Sequence, residues 1–430
     1  MKNISKISLL TASSIVVANM IGTGVFTSLG FQLSSVQNTI SIIILWVGGG
    51  LIAICGAFAY AELGSHFKET GGDYVFLSKV FHPAFGYFSA WAGLTIGFSA
   101  PVALAAIAFT KYLSPFGLTQ HAWVAAVLIL LVTLLHSFTI KHSSRMQNVS
   151  TLVKILFLAT LIVIGLLGST NTTNAFSFSG SWTSEITTTG FAVSMIFVTY
   201  SYTGWNAAAY IVDEIKDPLK NLPRALINST LLIIVLYTLF QLVLLKHASV
   251  ADMAGKEEVS FISFQNLLGK EGGRWVSLFI AVQLIATISS YLWVGPRVTW
   301  AMARNHHLWK SLAKVNAHNI PVRAVWLHAL ISIVLTLTGS FEQILLYAGF
   351  VLQLMSALTV ATSLFIKTRP GEFKTPWKPL PQLIFLAFSL WVLAFTIMDK
   401  PKESLLGIAM VLAGTIFYGT TRNLKTNEIN

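Results

Sequence analysis

The chain has 430 residues, 54% of them hydrophobic and only 10% charged, with a mean hydropathy of +0.71. Average soluble domains carry about 25% charged residues, so a water-soluble globular fold is excluded. The net charge of +12 would suggest a nucleic-acid partner in a soluble protein, but here its placement along the chain orients the molecule in a membrane, and no nucleic-acid partner is expected.

Hydropathy predicts spans near 7–31, 39–63, 83–112, 121–140, 147–168, 188–213, 225–246, 272–303, 323–339, 343–366, 381–398 and 403–420, each long enough to cross a bilayer as a helix. Lys2 and Lys6 before the first apolar stretch imitate a signal peptide, but the stretch is too long for one and no small-residue cleavage site follows, so it is expected to remain. Gly22-Thr23-Gly24-Val25-Phe26 interrupts this first span near its midpoint. Two glycines there weaken a helix, and irregular backbone at bilayer depth survives only where protein or a water-filled cavity surrounds it. The competing reading is a glycine pair that lets a neighbouring helix approach closely. Cys55, the only cysteine, falls in the second span as a small packing residue. Neither an internal disulfide nor a disulfide-linked partner subunit is expected.

Residues 64–82 mix charge, a Gly-Gly pair and aromatics, which suits a re-entrant or surface helix or a solvated loop. Lys154 lies inside the fifth span, where a lysine costs about 2.5–3.5 kcal/mol on insertion scales and is presumed functional; the alternative is snorkelling to the near surface. The sixth span is broken like the first: Tyr200-Ser201-Tyr202-Thr203-Gly204-Trp205-Asn206 interrupts an apolar run. Residues 246–274 form a polar connector long enough to fold over an external entrance, or a solvated loop. His306-His307 sits in a basic loop and reads as solvated.

With the N-terminus inside, most Lys and Arg fall on the cytoplasmic side while Asp and Glu divide evenly, the positive-inside bias. Both termini are therefore expected in the cytoplasm of a multi-pass protein of the cell inner membrane. The fold class is all-α: twelve transmembrane helices in one domain over 1–420, then a cytoplasmic tail at 421–430. Breaks five helices apart suit an inverted repeat of five plus five helices, the first near 7–168 and the second near 188–366, with two added helices at 381–420.

Four motifs in register carry a resemblance. They are GTGVF (22–26), AYAELG (59–64) with ETGGDYVFL (69–77), TGWNAAAYIVDEIKDPLKNLPRAL (203–226) and GPRVTWAMARN (295–305). The chain resembles the amino acid–polyamine–organocation (APC) transporters, which share the LeuT-type fold, and is most similar to prokaryotic L-amino-acid exchangers (LAT-like). The resemblance implies an amino acid site at the two breaks. Amide groups of Thr23, Gly24 and Val25, with the Thr23 hydroxyl, would take the carboxylate at a half-helix N-terminus. Carbonyls of Met20, Ile21, Tyr200, Ser201 and Thr203 would take the ammonium. Asn206 either lines the site or holds the turn, and Trp205 packs on the scaffold. Tyr200 and Tyr202 are candidate lids. Thr203 stands where relatives often have glycine, which predicts a smaller pocket. Lys154 matches the lysine that sodium-independent relatives place where others hold a cation between helices one and eight; Ser289 and Ser290 are its expected neighbours. Glu62, Asp213, Glu214, Arg297 and Arg304 are candidates for an inner gate network.

No metalloprotease, nucleophile-elbow or phosphate-loop motif is present in the sequence, so no enzyme, cofactor or metal is expected. The expected function is sodium-independent transport of neutral, small L-amino acids by exchange, since no Asp or Glu falls in a span core to hold a cationic substrate. Proton-coupled symport and a non-transporting sensor of the same fold stay open.

Overall fold

A computed structural model of the protein describes residues 6–117, 122–138, 144–169, 181–306 and 309–427. Lys2 and His307 lie outside them. The helices are α1 (Leu9–Met20), α2 (Thr23–Gln32), α3 (Thr39–Phe67), α4 (Asp73–Val80), α5 (Pro83–Ala92), α6 (Ser99–Tyr112), α7 (Ala122–Phe138), α8 (Ser144–Leu167) and α9 (Trp182–Glu185). They continue as α10 (Thr189–Tyr202), α11 (Pro218–His247), α12 (Val250–Met253), α13 (Val259–Asn305), α14 (Val322–Thr338), α15 (Phe341–Thr362), α16 (Leu380–Asp399) and α17 (Pro401–Asn427). There is no strand among the described residues, only a parallel bridge between Ile7 and Ile215.

Among the described residues, eight segments are long and apolar enough to cross a membrane, and Ala122–Phe138 and Val322–Thr338 are shorter apolar helices. The sixth expected span is a helix of 14 residues, α10, followed by a non-helical turn and a 3-10 helix over Ala207–Glu214. The protein is thus a multi-pass helical membrane protein. Polar side chains start the helices where the backbone amides need partners. Ser8 accepts from Thr11 N, Asn38 from Ile40 N and Thr188 from Phe191 N, and Ser340 with Gln343 forms a capping box on α15.

Helices α1, α2, α3, α10 and α11 bury most of their residues and form the centre of the bundle. Helices α7, α8 and α16 carry large exposed apolar side chains such as Leu135, Leu167 and Leu390, as faces turned to lipid should. Two irregularities shape the interior. A π-helical turn over Gly93–Gly97 joins α5 to α6, and Gly269, at φ +75°, bends the Val259–Asn305 segment. The 64–82 segment contains the short helix α4. The 246–274 connector lies on α2: Gly255 N donates to Gly30 O at 2.8 Å, and a methyl group at Gly30 would fall 2.0 Å from Lys256 O. The last helix runs on to Asn427, so most of the 421–430 tail continues α17.

Candidate functional site

The first apolar segment stops being helical at Ile21 and Gly22. Ile21 has φ −72° and ψ 90°, Gly22 φ −134° and ψ −149°, and α2 restarts at Thr23. The two glycines then divide the work. A Cβ on Gly22 would meet nothing nearer than Thr287 Cγ2 at 3.4 Å, whereas one on Gly24 would lie 2.5 Å from Ser201 Cα. Gly22 marks the break; Gly24 lets α2 press against α10. The packing reading therefore describes Gly24, and Ser28 Oγ lies 2.9 Å from Ser201 Oγ along the same seam.

The second break meets the first. Gly204 has φ +102°, a left-handed conformation that favours glycine, and its Cβ position would lie 2.7 Å from Asn19 C. Thr203 closes the end of α10 by donating from N (3.0 Å) and Oγ1 (2.7 Å) to Tyr200 O. Tyr200, 4% exposed, places its hydroxyl within reach of the Thr23 side chain. Residues more than 170 positions apart in sequence thus form one irregular patch inside the bundle.

A break of this kind exposes backbone groups that a helix would satisfy. The amides of Thr23, Gly24 and Val25 have no acceptor among the described hydrogen bonds, and they sit at the N-terminus of α2, where the helix dipole favours an anion. The expected carbonyls fall into two groups. Met20 O already accepts from Tyr237 Oη at 2.5 Å, Ile21 O from Lys154 Nζ at 3.0 Å, and Tyr200 O from Thr203. Ser201 O and Thr203 O have no donor among the described hydrogen bonds. A carbonyl has two lone pairs, so the engaged ones keep one each.

Lys154 is 2% exposed and does not snorkel. Its Nζ reaches Ala18 O at 3.3 Å, Ile21 O at 3.0 Å and Thr287 Oγ1 at 3.3 Å. Two of these oxygens are at the C-terminal end of α1, where unpaired carbonyls and the dipole favour a cation. The third comes from α13. The ammonium therefore ties the broken first segment to α13. The neighbour from that helix is Thr287, not Ser289 or Ser290. Ser289 Oγ pairs with His136 Nε2 at 2.7 Å, and Ser290 is half-buried with no contact to Lys154 described.

Tyr202 does not face the breaks either. Its hydroxyl donates to Trp46 O at 2.8 Å and its ring packs beside Trp46 and Tyr237, which fixes it in the scaffold between α3 and α11. Trp205 packs edge-on against Tyr60, centroids 4.8 Å apart, and against Phe385. Of the charged gate candidates, Glu62 is fully buried away from the rest. It accepts from Lys378 Nζ at 3.0 Å, Thr375 Oγ1 at 2.7 Å and Thr368 Oγ1 at 2.5 Å, pinning the α15–α16 loop to α3. Arg297 stacks on Trp293 at 3.8 Å and interacts with Glu214. Burial raises the Glu214 carboxyl, and Arg297 partly offsets this.

A cavity of about 850 Å³, counting its open mouth, runs from the breaks to α4. Thr203, Gly204 and Asn206 line it from the second break, and Asn19 from the first. Met20, Ile21, Thr23, Gly24, Val25, Tyr200 and Ser201 are not among the residues that line it. Its walls are Gly93, Gly97 and Phe98 at the π-helical turn, Tyr291 and Val294 on α13, and Leu352 and Met355 on α15. At the opposite end of the bundle, α2 is held down. Tyr112 Oη donates to Phe26 O at 2.6 Å and Ser260 Oγ to the same oxygen at 3.1 Å, beside the Gly255–Gly30 bond. Some functional residues carry no warning in the sequence. Asn19, which lines the cavity, is a lone amide in an apolar run, Thr287 is one of three hydroxyl residues close together on α13, and Asp73 stands in a quoted motif without a role.

Two discontinuous helices meeting around a polar patch, with a cavity reaching that patch from one end, define a solute carrier of the broken-helix kind. The profile of the amino acid permease family matches residues 7–420, and the chain belongs to that family, within the APC superfamily. Similar proteins include the b(0,+)-type amino acid transporter 1 of Mus musculus, 26% identical over 96% of this chain and 87% of the relative. The large neutral amino acids transporter small subunit 2 of Oryctolagus cuniculus is 27% identical over 96% of this chain and 79% of its own length. The Asc-type amino acid transporter 1 of Mus musculus is 26% identical over 96% and 80%.

Proposed function

We propose that this protein is a secondary transporter that carries small neutral L-amino acids across the inner membrane by alternating access, without sodium, in exchange for internal substrate. The observation that carries the reading is the pairing of free groups at the two breaks. Free amides at Thr23, Gly24 and Val25 suit a carboxylate, and the Ser201 and Thr203 carbonyls suit an ammonium. Together they offer a zwitterion partners for both ends, without which its burial costs several kcal/mol. Thr203 fills space beside the cavity, which supports small side chains.

Lys154 supports transport without sodium. Its ammonium occupies the oxygens of α1 and α13 that a cation between those helices would need. The full architecture in this reading is the LeuT-type one, with twelve spans and two inverted repeats. Cytoplasmic termini turn the α4 end of the cavity to the cytoplasm, so the described state is closed outside and reached from inside. A second reading, proton-coupled symport, has one specific observation behind it: Lys154 is buried with oxygen partners but no carboxylate, and such a lysine can lose its proton. Uptake of a panel of amino acids into proteoliposomes, with and without internal substrate and under an imposed pH gradient, separates the two. Exchange needs internal substrate; symport accumulates substrate on the pH gradient alone.

A further inference from the structure

Asp73 is the only charged side chain lining the cavity among the described residues, and the function proposed above leaves it without a role. It opens α4, just after Gly72 at φ +53°, and is 7% exposed. Tyr60 Oη donates to Oδ1 at 2.5 Å and Tyr210 Oη to Oδ2 at 2.8 Å. Asn206, from the second break, lies within reach of both tyrosine hydroxyls. No Lys, Arg or His forms an ion pair with Asp73 among the described residues; Lys79 pairs instead with Glu69, Lys378 with Glu62, and Arg297 interacts with Glu214.

A carboxylate has about four acceptor sites; two phenols donate to this one, and the Thr359 hydroxyl and the Asp73 amide also lie within reach of it. Burying an ionised carboxylate without a countercharge is costly. Burial pushes this carboxyl up to about 6, with the two phenols first, then Thr359 and the Asp73 amide, opposing the shift, so at neutral pH it is mostly ionised and still short of a cation. The cavity beside it is open and otherwise uncharged. A primary ammonium group supplies the missing charge, and an amino acid passing along the cavity carries one.

We propose that Asp73 forms a second subsite, at the α4 end of the cavity, that holds the primary ammonium group of a substrate as it enters or leaves the site at the breaks. The subsite rests on the reading of the chain as an amino acid carrier, but it can be measured without transport. It takes primary ammonium compounds as a class, including simple amines that lack a carboxylate. Asn206 links it to the second break, so a zwitterion held there by its ammonium keeps its carboxylate free for the amides of α2.

The test is equilibrium binding of radiolabelled n-propylamine to the purified full-length protein at pH 8, where both the amine and Asp73 are charged. Saturable binding is expected, displaced by L-alanine and not by propionate. Asp73→Asn keeps the shape and should weaken binding by roughly tenfold or more, the usual consequence of deleting a charged hydrogen-bond partner. Tyr60→Phe removes one donor but keeps the charge, leaving the carboxylate hungrier for a cation, and should bind propylamine at least as tightly as the unmodified protein. No saturable propylamine binding, equal binding in Asp73→Asn, or a Tyr60→Phe loss as large as that of Asp73→Asn would overturn the subsite. L-alanine uptake in proteoliposomes reads the transport proposal separately: uptake without amine binding removes only the subsite, and amine binding without uptake removes only the transport reading.

Discussion

Replacing Lys154 by alanine probes the tie between the broken first segment and α13. Three contacts are lost, to Ala18 O, Ile21 O and Thr287 Oγ1 at 3.0–3.3 Å. A hydrogen bond to a charged group contributes about 1.5–3 kcal/mol, but burying the ammonium is itself costly, so we assign the tie about 2–3 kcal/mol in total. If the tie exists only in the described state, its loss shifts the balance between carrier states by roughly 30- to 150-fold. In the proposed site substrate meets only Ile21 O among these atoms, so binding should change little while the return step slows. The assay is paired: substrate affinity in detergent, and exchange rate in proteoliposomes. A large fall in exchange with near-normal affinity is expected, and Lys154→Arg should rescue poorly because its wide planar head does not fit three converging oxygens. Exchange within twofold of the unmodified rate, or sodium-dependent uptake by the unmodified protein, would refute the reasoning.

Further outcomes follow from the same geometry. Thr23→Val removes a hydroxyl beside Tyr200 and the α2 amides and should weaken substrate binding by about 1–3 kcal/mol, read as a rise in the dissociation constant with unchanged thermal stability. Thr203→Gly removes the Oγ1 bond to Tyr200 O and should admit larger amino acids, scored by competition against labelled alanine; a native preference for Phe or Trp would contradict the small-pocket reading. Gly204→Ala meets a left-handed φ and an atom at 2.7 Å, so it should lower the melting temperature far more than Gly22→Ala, whose nearest neighbour is at 3.4 Å. Asp73 holds its proton to about 6 in the fold, above the usual 3.8, so its ionisation opposes folding. That penalty grows as pH rises from about 4 to 6 and is complete above. Asp73→Asn should therefore be more stable than the unmodified protein at pH 8, with the gap closing as pH falls below 6 in thermal melts.

The breaks were legible because glycines and polar residues stand out in apolar runs, and the bilayer leaves irregular backbone few places to be. What each glycine does was not legible. Gly22 and Gly24 look equivalent until α10 is placed against α2, and only then does Gly24 become the contact residue. Lys154 was visible as a charge inside a span, but its partner was misplaced by two to three residues. On a helix each residue turns about 100°, so Ser289 faces His136 while Thr287 faces the lysine. Tyr202 failed as a lid for the same reason: two residues from Tyr200, it points to the other side of α10. Asp73 needed the tertiary fold altogether. Its significance lies in Tyr60, 13 positions before it, and Tyr210, 137 positions after it, converging on its carboxylate, and no local pattern announces that. The expectation of no carboxylate near the pathway counted only span cores and overlooked a side chain supplied by α4.

The most direct measurement is uptake of labelled L-alanine by the purified protein in proteoliposomes, loaded or not with unlabelled L-alanine, in sodium and in choline buffers. The account predicts saturable uptake that internal alanine stimulates and that is the same in both buffers. Uptake that requires sodium, or no saturable uptake of any neutral amino acid under any of these conditions, would contradict it.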